Sequence, residues 1–278
     1  MTVSNANLSS QALAVGGNTN NNNTVYIGNG TVWNLNGYSV TVGSALSSSN
    51  NALTIDQGAV MTNITTLTVY TNNTLTLSNG TLGVKTLIYS NGCFTVGDGI
   101  RAATLREMGG NSSAVTNWLI INTNATLTGY GTIAATTDVY GALSPGLTFG
   151  IVTNGILTNA GPVIVHSGAK TIINIATNTT AGFGWGLEVV QGALNVDGSQ
   201  INVVFTGPYR PANSTTFLVM TNTTSDAIAG SFSSGVAQAY ANSSMNKVVG
   251  SFRINKTAHS VTLDYFHPPS SGTLITFR

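Results

Sequence analysis

The sequence predicts an all-β chain wound as a β-solenoid, and three observations carry that expectation. Four-residue words of alternating apolar and polar residues recur along the chain. In the clearest stretch they recur in phase at about 20 residues, the length of one coil of a stacked β-structure. Only 6% of the 278 residues are charged, against about a quarter in a typical soluble domain. Low charge suits ladders of like residues, in which repeated charges would repel one another from coil to coil.

The elements follow in order. SVTV (Ser39 to Val42) and ALTI (Ala52 to Ile55) come first. TLTV then begins at Thr66, TLTL at Thr74, TLIY at Thr86 and CFTV at Cys93. The step from Thr66 to Thr86 is 20 residues and that from Thr74 to Cys93 is 19, which predicts two interleaved rows of strands. Alternation puts Leu67 and Val69, or Leu75 and Leu77, on one face and threonine on the other. Threonine suits the pleat through its β-branch, and Asn and Gly tolerate the left-handed backbone of a sharp corner. PVIV (Pro162 to Val165), TIIN (Thr171 to Asn174), ALNV (Ala193 to Val196) and INVV (Ile201 to Val204) continue the series, too closely spaced for crossover helices. Asn-Gly pairs such as Asn29-Gly30 and Asn79-Gly80 are also strong signals for antiparallel hairpins. A meander, sandwich or barrel is therefore the competing architecture. The words are short for sandwich strands and keep coil-length phase, which favours the solenoid.

The charged segment Gly97 to Gly110 reads as a strand with outward Arg106 and Glu107, a short helix being the alternative. From Thr206 the repeat loosens. Residues 1–205 are expected to form the coils and residues 206–278 a C-terminal cap and strand-like tail of one continuous domain, since an uncapped solenoid end exposes backbone and core.

Composition narrows the function classes. A net charge of +1 gives no long-range field to steer nucleic acid, an anionic membrane or an acidic substrate, and nucleic acid is excluded as a partner on that ground. No run of about 18 apolar residues could cross a membrane as a helix. The lone cysteine, Cys93, excludes an internal disulfide and is expected to be a small core residue. The start MTVSNANLSS lacks a basic and an apolar signal region, so an exported form would have lost its signal already. Thirteen Asn-x-Ser/Thr sequons are acceptors in a glycosylating route, though Asn and Thr are also what turns and strands favour.

No reaction chemistry is expected. Asp138 has no acid near residue 158, and Glu188 has none near 168 or 208, so carboxylates do not stack at coil spacing. Asp98 and Glu107, with Arg101 and Arg106 nearby, read as a surface ion-pair patch. Three scattered histidines and one cysteine give no metal spacing. There is no G-x-S-x-G elbow and no phosphate-binding Gly-Lys-Ser/Thr loop. No catalytic, cofactor-binding or metal-binding residue is assigned.

The phrases ATLTGYGTIAA (Ala125 to Ala135), GALSPGLTFGIVTNGILT (Gly141 to Thr158) and GLEVVQGALNVDGSQINVVF (Gly186 to Phe205) resemble the autotransporter-associated β-strand repeat of bacterial surface proteins. The Leu143 to Gly146 and Gly155 to Thr158 phrases are the most specific part. The resemblance implies a right-handed parallel β-helix displayed at or released from a bacterial surface, in families that mostly act as adhesins, matrix components or stalks. The C-terminal membrane barrel of full autotransporters has no counterpart here.

The function expected is that of a non-catalytic extracellular or cell-surface structural protein, the subunit of a fibre, sheath or matrix. Its partner is then another copy. The alternating tail, with Thr273, Leu274, Ile275, Thr276 and Phe277, is expected to join a neighbouring sheet, as is the segment Thr2 to Val15. The alternative is an adhesin binding surface glycans through Trp33, Trp118, Trp185, Tyr130 or Tyr209, and a weaker one is a polysaccharide lyase or hydrolase.

Overall fold

The computed structural model describes residues 1–45, 48–109, 113–149, 152–177, 180–182 and 184–268. Among them the chain is all-β with no helix, and 25 strands form one sheet. Most pairing is parallel. Thr86, Leu87, Ile88 and Tyr89 lie beside Thr66, Leu67, Thr68 and Val69, and Val96 lies beside Leu77, the two steps read from the sequence.

Following partners from strand to strand produces continuous interior columns. Val3, Ile27, Ile55, Leu77, Val96, Ile121, Val139 and Val165 are successive neighbours in one column, and all are buried. A second runs Leu8, Trp33, Met61, Leu82, Leu105, Leu127, Leu143, Thr171 and Ile201. A third runs Val15, Val42, Val69, Tyr89 and Val115. At about 25 cal/mol per Å² of apolar surface, each fully buried aliphatic in these columns contributes about 1.5–3 kcal/mol.

The step between neighbours is not fixed at 20. It falls to 16 from Leu127 to Leu143 and reaches 36 from Val203 to Ala239. The register is set inside the strands, where one face must stay apolar, whereas exposed corners absorb extra residues at little cost.

Those corners are built on asparagine. Among the described residues, nine of the twelve non-glycine residues with positive φ are Asn, the residue best able to hold the left-handed conformation beside glycine. Asn29-Gly30 and Asn36-Gly37 have positive φ at both positions. Yet the strands flanking the first pair, Thr24–Gly28 and Val32–Asn34, do not pair with each other. They lie against Ala52–Ile55 and Ala59–Val69. These Asn-Gly pairs therefore turn corners between parallel strands and do not close hairpins.

Two expectations are corrected by the phase of the pleat. Ala103–Met108 is a strand, but Ala103, Leu105 and Glu107 share the inward face, so Glu107 is 1% exposed while Arg106 points out. Cys93 is exposed, because Phe94 and Val96 take the inward positions of that word. A closer backbone approach occurs at Gly129, where an added Cβ would overlap the Glu107 carbonyl oxygen and φ is +122°.

Parallel pairing continues past residue 205, with Phe217–Asn222 beside Leu187–Val190 and Val236–Tyr240 beside Gln200–Phe205. Antiparallel pairing then takes over. Val248–Lys256 and Ser260–His267 pair with each other, with Val236–Tyr240 and with Phe217–Asn222. Phe205, Phe217, Phe252 and Phe266 meet beneath them, with ring centroids 5.1–6.2 Å apart. A separate antiparallel hairpin joins Leu147–Phe149 to Val152–Asn154.

Candidate functional site

The titratable residues singled out in the sequence do not converge. Arg101 bridges Asp56 (3.1 Å) and Asp98 (2.8 Å) on the surface. Hydrogen bonds from the Arg101 and Ile100 backbone N–H groups, then the Arg101 side chain, hold the Asp98 carboxyl down at about 2. Glu107 is not part of this patch. Ser113 Oγ donates to its Oε2 at 2.9 Å and in turn accepts the Leu87 N–H at 2.8 Å, while Oε1 is buried with no hydrogen-bond partner. Desolvation pushes the Glu107 carboxyl up to about 8, the Ser113 bond opposing it. A carboxyl of that kind is protonated at neutral pH.

Glu188 is also interior. Thr137 Oγ1 donates to Asn159 Oδ1 at 3.0 Å, and Asn159 Nδ2 donates to Glu188 Oε1. Burial pushes this carboxyl well above its ordinary range, and the Asn159 bond offsets part of that. A third polar arrangement is an asparagine ladder that runs inward from the exposed Asn23. Asn23 Nδ2 donates to Asn51 Oδ1 (2.9 Å) and Asn51 Nδ2 to Asn73 Oδ1 (2.8 Å), while Asn73 Nδ2 reaches the Ser48 and Thr71 carbonyls. Asn51 and Asn73 are 0% and 2% exposed. All three arrangements tie neighbouring strands together, and the Glu107, Glu188, Asn51 and Asn73 side chains are buried.

Asp138 and His166 do meet, with Nε2 3.2 Å from Oδ1, and the His166 ring stacks on Tyr140 at 3.9 Å and 7°. Asp138 and His166 are 28 residues apart, a spacing hidden by the assumption of a constant 20-residue step. Among the described residues no three His, Cys, Asp or Glu side chains come together as metal ligands would, and no helix is long and apolar enough to cross a membrane.

The proposed glycan aromatics scatter. Trp33 is buried and donates from Nε1 to Ser10 Oγ at 2.9 Å. Trp185 is buried, donates to the Leu218 carbonyl at 2.7 Å and meets Phe217 edge-on. Tyr209 is half-buried against the core and Tyr130 packs over Gly109 and Gly155. Trp118 alone among them is exposed, at 37%.

The segment Thr2 to Val15 forms three short strands, Thr2–Ser4, Asn7–Ser9 and Leu13–Val15. Among the described residues each has a neighbour on one side only: Thr24–Gly28, Val32–Asn34 and Val40–Val42. Their outer side is a row of sheet edges. The tail residues Thr273, Leu274, Ile275, Thr276 and Phe277 lie outside the described residues.

Comparison with protein-family models, curated proteins and solved structures found no match.

Proposed function

We propose that the chain is a non-catalytic structural protein of the bacterial cell surface, a right-handed parallel β-helix that polymerises by strand addition into a fibre, sheath or matrix. The observation that carries this reading is the edge formed by Thr2–Ser4, Asn7–Ser9 and Leu13–Val15, each paired on one side only among the described residues. A closed barrel would give every strand two lateral partners, so one-sided pairing supports a wound rod with distinct ends. The right hand follows the strong bias of parallel β-connections. Three surface strands and the alternating sequence TLITF (Thr273 to Phe277) fit as acceptor and donor of β-augmentation. The antiparallel Val248–Lys256 and Ser260–His267 act as a cap over the last coils, which makes the two ends unlike and gives assembly a direction.

The scarcity of charge and the interior placement of Glu107 and Glu188 support a rod without reaction chemistry. The extracellular, surface location rests on the repeat resemblance. Negative-stain electron microscopy of the full chain and of a variant ending at Pro269 tests the proposal. Filaments from the full chain and short isolated rods from the shortened one are expected. Identical behaviour of the two would remove the tail as connector and, with it, this mode of assembly.

A further inference from the structure

A groove crosses the outer face of the sheet where Ala142–Pro145, Lys170–Ile175, Gln200–Phe205 and Val236–Tyr240 lie side by side. Two cavities of about 330 and 300 Å³ meet at Lys170, which lines both. The first includes Tyr140 and Met245, and the second Gln200, Asn202, Gln238 and Tyr240. Met245 accepts a weak hydrogen bond from Asn202 Nδ2 at 3.8 Å, which ties the 241–247 loop down between the cavities. Thr126, Ala142, Lys170 and Gln200 are direct neighbours on successive strands. Strands stand about 4.8 Å apart, so the five from Thr126 to Gln238 give a track about 19 Å long.

Three features describe what fits there. Lys170 is the one charged side chain of the groove and has no ion pair among the described residues. Exposed amides flank it at Gln200 and Gln238, offering donors and acceptors for hydroxyls. Tyr140 stands at the other end, 44% exposed, with one ring face held by His166 and His166 held by Asp138. An exposed ring fixed in this way is a preorganised stacking surface. A linear polymer of hydroxyl-bearing rings with occasional carboxylates matches the track. A single cation cannot meet the charge density of nucleic acid.

We propose that this groove binds an acidic polysaccharide lying across the strands, with Lys170 pairing a uronate carboxylate and Tyr140 stacking on a sugar ring. The site is independent of end-to-end assembly, since it lies on the side of the sheet and uses neither the first three strands nor the tail.

Affinity electrophoresis of the full chain in gels containing glucuronoxylan, a neutral backbone with occasional uronate groups, or neutral arabinoxylan tests it. Retardation by glucuronoxylan and none by arabinoxylan are expected. Lys170→Gln should weaken binding about tenfold and flatten its salt dependence. Tyr140→Ala should weaken it by a similar factor and Tyr140→Phe should restore it, because the ring does the stacking. Lys85→Gln, an exposed lysine outside the groove, should bind as the parent does, and thermal melts confirm that each variant is folded. The proposal is overturned by no retardation in glucuronoxylan, by equal retardation in arabinoxylan, or by folded Lys170→Gln binding as tightly as the parent.

Discussion

Raising the pH should weaken this protein through Glu107. Its carboxyl is 1% exposed and held at about 8 by desolvation, against an ordinary 4.5. Below pH 4.5 the group is neutral in both folded and unfolded chains, so the stability it allows is fully present. Between 4.5 and 8 the unfolded chain has released its proton while the folded chain keeps it. Folded stability therefore declines by about 1.4 kcal/mol per pH unit, about 5 kcal/mol over the whole window, and levels off above pH 8. Glu188 is shifted in the same direction and adds to the slope. Glu107→Gln keeps an oxygen for the Ser113 hydroxyl and removes the titration. The assay is urea unfolding at half-unit steps from pH 5 to 9. The parent and Glu107→Gln should differ little at pH 5, and the variant should be about 4 kcal/mol the more stable at pH 8. Adding Glu188→Gln should flatten what slope remains. If the parent and Glu107→Gln unfold in parallel across that range, the carboxyl is not buried neutral and the interior placement of this strand is wrong.

Two other outcomes follow from the interior and the pleat. Asn73→Ala removes the acceptor of the Asn51 N–H and one of the two acceptors of Asn51 Nδ2, which keeps the Asn20 carbonyl, and should cost about 2 kcal/mol, since the buried Asn51 N–H is left without its partner; Thr74→Ala on the outward face should cost less than about 1 kcal/mol, and calorimetry separates the two. Cys93 should react with a chromogenic disulfide reagent in the folded protein, one thiol per chain, whereas labelling that requires denaturant would put its side chain inside.

Much of the architecture was legible because burial imposes alternation. The words TLTV and TLIY announce the pairing of Thr66 with Thr86, and Ile55, Leu77, Val96 and Val165 of one interior column fall on faces that ALTI, TLTL, CFTV and PVIV mark. What alternation could not supply was the length of each coil. Corners such as Asn18 to Asn23 lie outside the strands, so the step varies freely and Asp138 could not be matched with His166 from spacing alone. The phase of Glu107 was available in the sequence, since Ala103, Leu105 and Glu107 alternate, but the habit of placing charge outside overrode it. Cys93 was misplaced for the opposite reason: its burial habit was followed where the phase set by Phe94 and Val96 decides. The groove around Lys170 unites residues from five strands and a loop, and no local pattern in the chain joins them.

The interior polar contacts also settle which strand lies against which. A chain of valines, leucines and isoleucines would be nearly as content one layer out of place, because any aliphatic row fits any other. Thr137, Asn159 and Glu188 bond one another in a single order, with only Glu188 Oε2 left unpaired among them, and Asn23, Asn51 and Asn73 form a second ordered series. A skipped layer would strand amides and a carboxyl in oil, so these few groups number the turns of an otherwise repetitive stack.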